Sequence, residues 1–75
     1  MTIPAVADIQ AQMDSASTTN VANIQRKAAV SASVDEFYVV GVTAPYAGKA
    51  GWIRTTSSDS AATQAAAILL ALKTL

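Results

Sequence analysis

Seventy-five residues without cysteine or histidine exclude disulfide staples, the common zinc, haem and iron–sulfur ligand sets, and histidine-based catalysis. A chain this short forms one small domain, residues 1–75, and buries only about 60 % of its unfolded surface, which leaves oligomerisation as the available stabilising device. Five basic residues against five acidic ones, with 13 % of residues charged, provide no field for phosphates or anionic lipid, so neither nucleic acid nor a membrane is expected as a partner.

Thr2-Ile3-Pro4 opens the first periodic segment, with proline where its missing N–H costs little. Val6, Ile9, Gln10 and Met13 share one helical face, which predicts a helix from Pro4 to Asp14. The polar residues of this stretch also break any signal-peptide pattern, so export by that route is not expected. Ser15 to Asn20 is rich in side chains that compete for backbone hydrogen bonds and reads as an interruption, with Thr19 or Asn20 as the cap of the next segment. Val21, Ile24 and Ala28 at i, i+3, i+7 predict a second amphipathic helix to about Ala29. Val30 to Val34 alternates and fits a strand, although helix and strand both remain open across residues 15–34.

Glu36 to Ala44 is dense in aromatic and β-branched residues and ends at Pro45, which predicts a strand. Phe37 and Val39 fall on one of its sides and Tyr38, Val40 and Val42 on the other; both sides are apolar, so two covers are expected, one of them from another subunit. Pro45 to Gly51 reads as a loop in which both glycines supply conformations closed to other residues, and Trp52 to Thr56 returns as the second strand of a hairpin. Ser57-Ser58-Asp59-Ser60 offers N-cap oxygens, with Asp59 as a capping acid. A helix then runs from Ala61 to Leu75, with Ala61, Ala65, Ile68, Leu72 and Leu75 spaced as a seam. The whole is an α+β fold: a β-hairpin packed against a C-terminal helix, with N-terminal helical segments. Val40, Val42, Ile53, Ile68, Leu69 and Leu72 are the expected core.

No chemistry stands out. Asp35 and Glu36 are the one adjacent acidic pair, but in a strand they point to opposite faces, as a solvated strand entrance would. Ala47-Gly48-Lys49-Ala50-Gly51 fails as a phosphate loop, because Thr43 stands where its first glycine belongs and Ala50 where a hydroxyl would ligate magnesium. No catalytic residue, cofactor or metal is expected. Tyr46 and Trp52 flank the loop and fit either an exposed recognition patch or local packing. Tyr38, Tyr46, Lys49, Trp52 and Leu72 are the candidate partner-binding residues. Alanine makes up 17 of the 39 apolar residues, so the core is thin and each copy is expected to share it with a neighbour.

The Ala/Ser/Thr bias, the segment Ile24-Gln25-Arg26-Lys27-Ala28-Ala29-Val30 and the ending Ser60 to Leu72 resemble small virion structural proteins of tailed bacteriophages, of the head-fibre and capsid-decoration type. The resemblance implies a non-enzymatic, commonly trimeric protein attached to another structural protein of a capsid or tail. It further implies assembly in the host cytoplasm and residence in the virion. A small intracellular adaptor that binds one protein partner is the competing expectation.

Overall fold

The computed structural model describes residues 3–16, 19–28 and 30–75. The chain runs through α1 (Val6–Ser15), β1 (Ala22–Lys27), β2 (Val34–Gly41), β3 (Ala50–Thr56) and α2 (Ala61–Lys73). The strands form an antiparallel sheet in the order β1-β2-β3, and the two helices pack on the sheet and on each other, an α+β fold.

Alternation along β2 creates two unlike faces. Asp35, Phe37 and Val39 are buried beneath the helices, while Glu36, Tyr38 and Val40 lie on the outer side. Ile9 and Met13, one helical turn apart on α1, meet Ala22 of β1, Phe37 and Val39 of β2, Ile53 of β3, and Ala65, Ile68 and Leu72 of α2. Ile53, Ile68 and Leu72 are therefore core as expected, with Leu69 partly buried against them. Val40 and Val42 are not: both belong to the outer face, and Val42 is 46 % exposed.

Where a helix is expected from Val21 to Ala29, residues Ala22–Lys27 form strand β1, so Ile24 to Lys27, four of the seven residues of the segment Ile24 to Val30 that shares in the virion resemblance, are extended backbone. The cause is a bulge. Ala22 pairs with Gly41 and Ile24 with Val39, but Arg26 pairs with Tyr38, which leaves Gln25 without a partner. That extra residue destroys the period of two by which a strand is recognised. Ser31 to Ser33 form a turn rather than a strand: the Ser31 hydroxyl accepts the Val34 N–H at 3.0 Å, and β2 begins there. Ser17, Thr18 and Ala29, which belong to the expected interruption and the second helix end, lie outside the described residues.

Between β2 and β3 the chain turns through Tyr46, whose N–H bonds to the Thr43 carbonyl at 2.8 Å. Gly48 adopts a φ of 83°, but Gly51 does not share this conformation; it is a paired strand residue beneath Leu75. The cap of α2 is Ser60, whose side chain accepts the Thr63 N–H at 3.2 Å, and not Asp59. The expected seam of α2 faces the sheet: Ala65, Ile68 and Leu72 fill the core.

Candidate interaction surface

The bulge at Gln25 also reverses the direction of the side chains after it. Ile24 turns inward opposite Val39, yet Arg26, two residues on, stands opposite the outward Tyr38, and Lys27 opposite the inward Phe37. The two adjacent basic residues thus serve opposite faces of the sheet. Lys27 passes over the Phe37 ring at 5.8 Å and reaches the Asp35 carboxylate at 3.3 Å. Arg26 reaches over the Trp52 ring at 5.3 Å from its centroid.

On the outer face Tyr38 and Trp52 are cross-strand partners whose rings meet edge to face at 5.5 Å and 75°. Glu36 stands opposite Arg54 and its Oε2 accepts the Arg54 Nε–H at 2.7 Å. That hydrogen bond first, and the Glu36 charge second, raise the Arg54 guanidinium further above its ordinary value, so it stays cationic. Val40 and the exposed Val34 and Val42 complete a surface of apolar and aromatic groups with charge at its margins. Trp52 is 43 % exposed even with both of its ring contacts.

The two sheet edges differ. At β1 the Gln10 carboxamide reaches from α1 like a short strand: Nε2 donates to the Ala22 carbonyl at 2.7 Å and Oε1 accepts the Ile24 N–H at 2.8 Å. The bulge bends the remainder of that edge. Along β3, Gly41 donates to the Lys49 carbonyl and Ser57 to the Ser33 carbonyl, so the odd-numbered residues between them bond to β2. Ala50, Trp52, Arg54 and Thr56 consequently turn their peptide groups away from the sheet. The Thr56 carbonyl accepts the Asp59 N–H at 3.1 Å, but no described group outside the sheet bonds to the backbone of Ala50, Trp52 or Arg54.

Of the residues expected to meet a partner, the sheet brings Tyr38 and Trp52 together on the open face. Tyr46 packs against the core, and the Lys49 ammonium donates to the Leu75 carbonyl at 2.9 Å. Leu72 is 0 % exposed and offers no surface in this fold. The Trp52 ring meets Tyr38 and Arg26 on that face. Asp35 and Glu36 diverge as expected, but Asp35 is not solvated: it is 0 % exposed, and neither carboxylate oxygen has a hydrogen bond. Sequence reasoning missed Arg26, Glu36 and Arg54 as parts of the face. The signal for the last two was their distance from the hairpin turn, which places them opposite each other; Arg26 carries no such signal, because the bulge sets it.

Among the described residues, no group of three or more carboxylates is placed to hold a metal ion, and no helix is long and apolar enough to cross a membrane. Comparison with protein-family models, with curated proteins and with solved structures finds nothing that matches this chain.

Proposed function

We propose that this protein is a non-enzymatic structural or assembly component that self-associates and attaches to another structural protein, as a capsid or tail part of a phage particle. The observation that carries the reading is the sheet's outer side. Tyr38, Val40, Val42 and Trp52 lie there without a covering layer, while the inner side already has its helices and a closed core. The alanine-rich composition and zero net charge support it further, since both favour close association of like copies. Function in this reading is burial of that face and its edge, and Tyr38 and Trp52 are its anchors.

Light scattering at micromolar concentration tests self-association, with an oligomer expected and a stable folded monomer counting against it. Recovery of the chain with purified particles tests attachment. The open β3 edge also favours a second reading, an adaptor that takes an extended peptide as a fourth strand. Capture of a single protein partner by a chain absent from particles would favour the adaptor.

A further inference from the structure

We propose that β3 pairs with β3 of a second copy, antiparallel and centred on Ile53, so that two three-stranded sheets become one sheet of six strands. The inference rests on the self-association reading above and assigns its surface, symmetry and register.

Hydrogen-bond phase does the first part of the selection. Ala50, Trp52 and Arg54 present unpaired peptide groups at the β3 edge, so an added strand must bond to even-numbered residues, and in a pair of like strands these must also face even-numbered residues. Three central registers satisfy this. Centring on Arg54 sets two guanidiniums directly opposite each other, which like charge disfavours. Centring on Trp52 shortens the pairing to Ala50–Arg54 and leaves Thr56 beyond it. Centring on Ile53, the midpoint of β3, sets Trp52 opposite Arg54 of the second copy and Ala50 opposite Thr56, whose N–H is free to bond across the seam while its carbonyl already takes the Asp59 N–H.

Charge complementarity favours the same register. Each Arg54 is set beside the outer-face Trp52 of the other copy, on the strand side away from Tyr38. The row across the joined sheets reads Arg26, Tyr38, Trp52, then Arg54 and Glu36 of the second copy: a cation, two rings, a cation and its carboxylate. On the inner side the two buried Ile53 side chains meet at the axis, and the apolar cores become continuous. The symmetry is set by the edges. With β1 blocked by Gln10 at Ala22 and Ile24 and bent by its bulge, one open edge remains among the described residues, and one self-complementary edge closes a two-fold dimer; a cyclic trimer through sheet edges would need two different ones.

The chain has no cysteine, so the register can be read by cross-linking single Ala50→Cys and Thr56→Cys variants, both exposed positions on the outer face. In the dimer these two residues stand opposite each other, whereas two copies of the same position lie six residues apart, about 20 Å, well beyond the roughly 7 Å limit of a disulfide. Oxidation of an equal mixture is expected to give a mixed cross-linked pair, and oxidation of either variant alone to give none. A wild-type mass of two or more chains without the mixed product, or with efficient cross-linking of one variant to itself, overturns the pairing and leaves self-association standing; a monomer overturns both. Amide exchange of the unmodified protein gives an independent measure. Trp52 and Arg54 N–H groups are expected to slow about tenfold or more as concentration drives assembly, and unchanged exchange in an assembled sample overturns the proposal.

Discussion

Asp35 and Glu36 are chain neighbours in unlike environments. Glu36 shares a solvent-washed hydrogen bond with Arg54, worth little to stability. Asp35 is fully buried, with the Lys27 ammonium at 3.3 Å as its charge partner, while the Lys27 side chain keeps 22 % of its surface exposed. The pair is therefore asymmetric. Lys27→Met strands a carboxylate that cannot reach water and is expected to cost about 3 kcal/mol in urea unfolding. Asp35→Asn should cost distinctly less, because Lys27 can turn outward; equal losses would contradict this account. Gln64 is another fully buried polar residue, donating to the Ser57 and Asp59 carbonyls and accepting the Thr55 hydroxyl at 2.6 Å. Gln64→Leu leaves these groups unmet and should destabilise by about 2 kcal/mol, measured the same way. The divergence of Asp35 from Glu36 was legible from strand alternation. The burial of Asp35 was not, because it depends on Lys27 turning inward after the Gln25 bulge.

Among the elements, α1 and β1 depend on each other in a way no pattern of apolar residues displays. Gln10 sits on the expected helical face with Val6, Ile9 and Met13, but its function is to occupy peptide groups of the β1 edge. Gln10→Ala should cost about 1–2 kcal/mol through the loss of two hydrogen bonds to β1 and a third to the Asp14 carboxylate. It should also open a second sheet edge, seen as growth in scattering beyond that of the wild type. A destabilised variant that scatters like the wild type would separate the edge-blocking role from the stabilising one. The terminal helices and the β2–β3 hairpin were readable because period and turn residues agree there, with Ser60 capping α2. β1 was not, since its bulge leaves Val21, Ile24 and Ala28 at a helical spacing. Of the outer surface, the sequence made Tyr38, Val40 and Val42 one apolar side of a strand. It could not place Trp52 beside Tyr38 without the hairpin register.

The whole molecule alters the meaning of the thin core. Its accessible surface of 4199 Å² is close to the roughly 4,300 Å² expected of a compact monomer of this mass. Its radius of gyration of 11.2 Å matches the roughly 11 Å expected for its length. Alanine thus permits a closed core of ordinary compactness, with α1 and α2 in contact over the sheet, and no neighbour is needed to finish it. What remains open is the outer face and one edge. That arrangement suits the joining of finished subunits, and a single free edge among the described residues favours two-fold closure over the trimer that the virion resemblance implies. Sedimentation equilibrium of the unmodified protein at micromolar concentration tests this most directly. The expected result is a mass of twice the 7.7 kDa chain, constant once assembly is complete; a mass of one chain or of three would contradict it.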